Sequence, residues 1–85
     1  MRDVVFQPKA YEDFSEWLLE DVNIAIKINR LLKDINRTPF TGLGKPEPLK
    51  YELKGYWSRR ISLGHRLVYK VTKGEITVNS CKYHY

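Results

Sequence analysis

A change of hydrophobic period part-way along the chain does most to limit what it can fold into. Up to Asn36 the apolar residues recur at helical spacing; after Leu49 they alternate or cluster as in strands, and the stretch between follows neither pattern. From Lys9 to Glu20, the residues Tyr11, Phe14 and Leu18, flanked by Trp17, fall on one side of a helix, with Glu12, Asp13 and Glu16 expected to face away. Acids early in this helix suit its dipole. Asp21 is placed to cap a second helix, in which Ile24, Ile28, Leu31, Leu32 and Ile35 form one stripe. Very few residues separate the two helices, so they should form a hairpin whose stripes cover one face of a sheet. Ahead of them, Asp3 to Gln7 reads as a short strand around Val4, Val5 and Phe6, and Pro8 either ends it or starts the next element.

Asn36 to Leu49 is punctuated by Pro39, Gly42, Gly44, Pro46 and Pro48 and reads as a loop. A loop this long, with no element of its own, is uncommon in a small domain unless it serves function. Three strand-like runs follow, Tyr56 to Ser62, Arg66 to Val71 and Ile76 to Tyr83, joined by turns at Leu63-Gly64 and Lys73-Gly74. Leu67, Tyr69 and Val71 alternate with Arg66, Val68 and Lys70, so one sheet face packs on the helices and the other displays Arg66 and Lys70. The expectation is an α+β chain: a short N-terminal strand and a two-helix hairpin packed on an antiparallel sheet.

With 85 residues the chain has room for one domain, spanning residues 1–85, and one modest core. Its 42% hydrophobic and 29% charged content belongs to a folding chain rather than a disordered one. No apolar run approaches membrane-spanning length, so no membrane association and a cytoplasmic location are expected. Cys81 has no second cysteine to pair with and no Cys or His neighbours at zinc-ligand spacing. The net charge of +5 is unevenly spread: residues 1–36 hold five Lys/Arg against seven Asp/Glu, and residues 37–85 hold ten against three. The halves therefore carry −2 and +7, which makes the second the polyanion-facing half, or else simply a solvated basic face.

That basic half holds a cluster of chemically capable residues: Lys45, Glu47 and Lys50 on the loop, Arg59 and Arg60 on one strand, Arg66 on the next, His84 and Tyr85 at the end. Neither a metal-ligand spacing nor a phosphate-cradling glycine motif accompanies them, so no metal and no cofactor is expected and acid-base chemistry is the option left. RNA can be cut in that way when its 2′-hydroxyl attacks the adjacent phosphorus, which requires a base, an acid for the leaving oxygen and cations for the developing charge. Glu47, His84 and the arginines match those three parts. Arg66 offers a planar donor fork suited to phosphate oxygens, and Tyr85, Tyr83 or Trp57 offers a ring on which an unpaired base can stack. Each has a blander reading. Glu47 fits a surface loop acid, His84 a frayed tail, His65 a structural turn residue, Cys81 a packing residue, and Trp57 and Tyr69 the core.

Five stretches decide further: Thr38-Pro39-Phe40, Gly42 to Leu49 (GLGKPEPL), Gly55 to Ile61 (GYWSRRI), His65 to Tyr69 (HRLVY) and Cys81 to Tyr85 (CKYHY). In order and spacing, from the first residue to the last, they resemble the YoeB toxins of the RelE superfamily. The resemblance implies a RelE-like fold and a ribosome-dependent endonuclease that cuts messenger RNA in the A site, leaving a 2′,3′-cyclic phosphate and a 5′-hydroxyl. It implies Glu47 as general base, His84 as general acid, Arg66 as the stabiliser of the pentavalent phosphate and Tyr85 as a positioning group. Lys50 and Arg60, with Arg59 beside them, would contact RNA or support the site. The implied partners are the ribosome and its message, a YefM-like antitoxin whose C-terminal segment masks His84 and Tyr85, a second copy in a homodimer, and operator DNA reached only through the antitoxin complex. The chain departs from the family in its first helix and at the Leu63-Gly64 tip, where acidic residues are common in the family. A binding-only toxin, like the gyrase-poisoning branch of the same superfold, is the competing reading. The Glu47, Arg66 and His84 set favours the nuclease, since a binding-only relative has no need of it.

Overall fold

The five strands are ordered β1-β5-β4-β3-β2, so the first and last strands in sequence lie side by side. The structure, a computed structural model, describes residues 1–83. β1 (Asp3–Phe6) runs parallel to β5 (Glu75–Ser80), while β2 (Glu47–Pro48), β3 (Trp57–Ser62), β4 (His65–Val71) and β5 form antiparallel pairs. The C-terminal strands form the expected antiparallel sheet, and the short N-terminal strand joins its edge in parallel, which makes the whole sheet mixed. Only a long connection can return a chain to parallel register, and here the helices and the other strands supply it. Arg2 and Asn36 exchange two hydrogen bonds, both 3.2 Å, tying the start of β1 to the end of the second helix.

α1 (Pro8–Glu20) begins with Pro8 inside its first turn, where the missing N–H costs nothing. α2 (Val22–Arg37) begins at Asp21, whose carboxylate accepts the Asn23 N–H at 3.2 Å. Ile28, Leu31 and Ile35 of α2 are at most 1% exposed and meet Ile61, Leu67, Tyr69, Ile76 and Val78 from the sheet. Burying each such aliphatic side chain stabilises the fold by about 1.5–3 kcal/mol.

α1 is rotated from its expected orientation. Ala10, Asp13 and Trp17 face inward, while Tyr11 and Leu18 are more than half exposed. Asp13 is buried because its carboxylate accepts the Cys81 N–H at 3.0 Å and pairs with Lys9 at 2.8 Å. These partners compensate the charge that would otherwise keep it in water.

Arg59 requires a second correction. It was expected among the substrate-binding residues, yet its side chain is fully buried on the helix side of the sheet. Its guanidinium bonds Asp34 of α2 at 2.6 Å, the Tyr69 hydroxyl at 3.1 Å, and the carbonyls of Thr38, Thr41 and Leu43 at 2.7, 2.8 and 3.1 Å. The loop after α2 is wound around this one side chain. Gly42 and Gly44 permit the winding: both have positive φ, and a side chain would strike the Asp34 carboxylate at Gly42 and the Arg60 backbone at Gly44. The Leu43 N–H, and then the Arg59 and Arg37 guanidiniums, hold the Asp34 carboxyl below the usual carboxylate range against the opposing effect of burial.

Replacing Arg59 by Leu should cost about 3–5 kcal/mol in urea unfolding, because it takes from the buried Asp34 carboxylate its sheet-side cation and from the Thr38 and Leu43 carbonyls the guanidinium they accept from. The wild-type stability contributed by Asp34 should be complete above the unfolded aspartate pKa of about 3.9 and be lost as pH falls through the lower folded value. An unchanged urea midpoint in the Leu variant, or unfolding that does not steepen below that range, contradicts the role given to this pair.

Candidate active site

The face of the sheet turned away from the helices carries Glu47, Arg60 and Arg66 among the residues singled out for chemistry. Register determines which of them meet. Glu47 of β2 pairs with Ser58 of β3, which pairs with Val68 of β4; one step along, Arg60 pairs with Arg66. Paired residues point to the same face, so Glu47, Ser58, Arg60 and Arg66 all project outward. Arg66 then reaches diagonally across two strands. Its Nε donates to Ser58 Oγ at 2.8 Å and its terminal nitrogen lies 3.1 Å from Glu47 Oε1.

The loop that brings Glu47 here is fixed at two points. Gly44 accepts the Arg60 N–H at 2.7 Å, and the Leu49 N–H donates to Tyr56 O at 2.9 Å. Lys45 occupies the left-handed region with φ 51°, and Lys50 leads into a turn of 3-10 helix at Tyr51–Leu53. The Glu47 side chain is 52% exposed and that of Arg66 16%, so the acid is presented to solvent and the guanidinium is held behind it. Arg66 is therefore less displayed than strand alternation alone suggested, because Ser58 and Glu47 cover it. Lys50 and Arg60 are exposed on either side. Two shallow clefts flank the pair: one of about 470 Å³ along Glu47 to Leu53, the other of about 440 Å³ along Arg60, Ser62 and Arg66. A larger apolar groove of about 730 Å³ lies elsewhere, lined by residues of β1 and the two helices, and holds none of these side chains.

Tyr83 is held at the same place. Tyr83 O accepts the Arg66 N–H at 3.2 Å, and the Tyr83 N–H donates to His65 Nδ1 at 2.8 Å. His65 is thus structural, its ring edge-on to Trp17 with centroids 4.8 Å apart. His84 and Tyr85, expected as acid and positioning group, lie outside the described residues. Cys81 packs fully buried against α1, and burial, with Asp13 nearby, pushes its thiol up to about 12. Trp57 stacks at a tilt on Phe40, 4.7 Å between centroids, and Tyr69 is buried beneath Arg59. Among the described residues, no group of three or more His, Cys, Asp and Glu side chains is arranged to hold a metal ion. Ser58 was missed. It lies in the GYWSRRI stretch, but only its cross-strand relation to Arg66 reveals what it does.

A two-layer α+β fold with a carboxylate-guanidinium pair on its open sheet face is the class these features define. The chain matches the family described as YoeB-like toxin of bacterial type II toxin-antitoxin system over residues 6–85. A YoeB toxin of Mycobacterium bovis is 54% identical to it over 85 residues, all of both chains. Among solved structures, the YoeB dimer of Staphylococcus aureus is 48% identical, covering 99% of this chain and 98% of that one, with a TM-score of 0.93. The heterotetrameric YoeB-YefM toxin-antitoxin complex of the same organism is also 48% identical, covering 100% and 99%, with a TM-score of 0.92. The chain belongs to the YoeB-like toxins, and its fold is RelE-like.

Stability should separate the Ser58 and Glu47 contacts of the Arg66 side chain. Removing the buried Ser58 hydroxyl by Ser58→Ala leaves a charged donor without its acceptor and should cost about 1.5–3 kcal/mol. Glu47→Gln touches a half-exposed pair and should cost no more than about 1 kcal/mol. Chemical denaturation of both variants checks the order; the reverse order means that Glu47, not Ser58, anchors the guanidinium.

Proposed function

We propose that this chain is a ribosome-dependent messenger-RNA endonuclease that cuts A-site codons by acid-base catalysis and so stops translation. The observation that carries the reading is the Glu47–Arg66 pair, 3.1 Å apart on an open, basic sheet face beside Tyr83. Membership of a toxin family supports it.

In this reading Glu47 takes the proton from the attacking 2′-hydroxyl, and His84 protonates the departing 5′-oxygen. The balance is complete: a 2′-oxygen to phosphorus bond forms, the phosphorus to 5′-oxygen bond breaks, and the proton lost at one end is replaced at the other. Ser58 fixes the guanidinium plane of Arg66, and the phosphate takes over its outer donors as negative charge builds on the equatorial oxygens. Tyr85 positions the substrate, and Lys50 and Arg60 hold the flanking phosphates. Arg59 is withdrawn from that set, since it is enclosed by Asp34 and the loop.

Exposed Lys45, Lys50, Lys54, Arg60, Lys70 and Lys73 form a basic surface broader than one codon, which suits docking on ribosomal RNA. The ribosome then supplies rigid presentation of the codon, and orientation of that kind contributes about 7–11 kcal/mol to lowering a barrier. A YefM-like antitoxin is the partner inferred from the relatives' complexes, with its C-terminal segment masking the catalytic end; a homodimer follows from the same relatives, and operator DNA would be reached through the antitoxin. All of this belongs in the cytoplasm. No helix among the described residues is long and apolar enough to cross a membrane.

Glu47→Gln and His84→Gln should each fold and cut ribosome-bound message on the order of a hundredfold more slowly, since both keep shape and remove proton transfer. Arg66→Lys should also be slow, because a point charge does not replace two parallel donors. Wild-type rates in the two Gln variants remove the acid-base assignment.

Naked RNA should be a poor substrate. At matched salt and protein concentration, the same sequence should be cut far faster in the A site than as free unstructured RNA, and raised salt should weaken cleavage by loosening docking. Equal rates on the two substrates contradict ribosome dependence.

A further inference from the structure

The division of charge between the two halves of the sequence hides a basic helix. α2 carries Lys27, Arg30, Lys33 and Arg37 against a single acid, Asp34. That acid faces inward: its side chain is 5% exposed, and its carboxylate accepts from Arg59 at 2.6 Å and from the Leu43 N–H at 2.9 Å. Arg37 shares it at 2.9 Å, so the outward charges of α2 are Lys27, Arg30 and Lys33, all exposed. Spaced three residues apart, they rise along one side of the helix over about 9 Å.

Lys27 and Arg30 share a cleft of about 370 Å³ with Lys45 of the loop and Arg60 of β3. Among the described residues no carboxylate lines it, and no ion pair engages any of the four. The loop closes this cleft because Gly44 O accepts the Arg60 N–H at 2.7 Å and so runs alongside β3. Arg60 belongs to two clefts at once, since it also lines the one of about 440 Å³ that contains Arg66. On the other side, Arg30 lines a further hollow of about 350 Å³ with Lys33 and Arg37. The three adjoin one another through Arg60 and Arg30, and they lead from Arg66 past the loop and onto α2.

A row of charges on a helix is ordinarily no more than a solvated face. Two points separate this one from that reading. Like charges at this spacing repel and weaken a helix, and two further cations across the cleft add to the repulsion, which a bound polyanion would offset. The row is also continuous with the sheet-face pair. A compact anion would fill one cleft, whereas a strand carrying one charge per nucleotide can follow all three. Because Arg60 adjoins Arg66, the strand that enters this track is the one already lying on the pair, and not a separate ribosomal one.

We propose that Lys27 and Arg30, facing Arg60 across this cleft, form a phosphodiester-binding groove for the stretch of substrate RNA beyond the bond to be cut. The groove extends onto α2 the flanking-phosphate contacts given to Arg60. This rests on the Glu47–Arg66 face taking RNA, as argued under the proposed function.

The test is fluorescence anisotropy of the full chain with 2′-O-methyl oligoribonucleotides, which lack the nucleophile and stay intact, at lengths of about four and about twelve nucleotides. The wild type should bind the longer probe more tightly and lose it more steeply in salt. Lys27→Gln with Arg30→Gln removes both charges at exposed helix positions that glutamine tolerates. It should weaken the longer probe about tenfold or more and leave the shorter one unchanged. The slope of log affinity against log salt should fall by about 1.4, from about 0.7 for each phosphate contact on a single strand. Lys27→Arg with Arg30→Lys keeps both charges and should keep most of the affinity. On the unmodified chain, a long probe whose outer phosphates are neutral methylphosphonates should bind no better than the short one, an arm that holds even if the Gln variant does not fold.

Wild-type affinity for the longer probe in the Gln variant overturns the proposal. So does an equal loss on both probes, which places the effect at the pair or in the fold. A raised half-saturating ribosome concentration with unchanged oligonucleotide binding assigns the groove to ribosomal RNA and overturns it as well. None of these measurements involves cleavage. If the groove binds as expected and the chain does not cut message on ribosomes, the endonuclease reading fails while the groove remains a site for RNA.

Discussion

The buried contact between Arg59 and Asp34 is the constraint on which the rest of the molecule depends. It joins all three parts of the architecture: a strand through Arg59, a helix through Asp34, and the long loop through the carbonyls of Thr38, Thr41 and Leu43. A loop rich in glycine and proline has little periodic structure to hold it, and this one leaves α2 with backbone acceptors turned inward. One guanidinium, with its five donors in a rigid fork, satisfies them together. Because the loop leaves this hub at a fixed place, Gly44 can bond Arg60 and Glu47 arrives in register with Ser58. The catalytic candidate on the surface is therefore located by an ion pair in the interior.

The uneven charge of the chain takes on a second meaning in this light. Two of the basic residues in the C-terminal half, Arg59 and Lys82, are enclosed by acids of the N-terminal half: Asp34 for the first, Glu16 and Glu20 for the second. Part of the asymmetry is internal complementarity between helices and sheet. What remains outside is a smaller basic surface, but one concentrated around Glu47 and Arg66, where it would act on a polyanion. Acids of the helices thus bind the two halves of the chain to one another.

How much of this can be read from sequence differs from element to element, for physical reasons. α2 was legible because its stripe is continuous and its cap is local. α1 was misread because the partner that buries Asp13 is Cys81, 68 residues away, and no local period records it. The pairing of β1 with β5 is non-local in the same way. Arg59 is different, because its signal was present: in a strand, adjacent residues point to opposite faces, so Arg59 must share the side of Trp57 and Ile61 while Arg60 takes the other. Glu47, Arg66, Lys50 and Arg60 were singled out by their basic setting and by motif resemblance, and the sheet register brings the first two into contact. Ser58 was not, since the side chain it meets, Arg66, lies on the neighbouring strand, where sequence spacing does not place it.

The claim that everything else serves is that the 2′-hydroxyl of the message is the nucleophile and that the protein's own residues move the protons. Replacing that one hydroxyl by hydrogen, at the scissile nucleotide of an A-site codon on programmed ribosomes, tests it most directly. The deoxy-substituted message should dock and remain intact, while the unsubstituted message is cut to fragments ending in a 2′,3′-cyclic phosphate and a 5′-hydroxyl. Cleavage of the deoxy message at the same bond, at a rate comparable to the ribose form, would contradict the account.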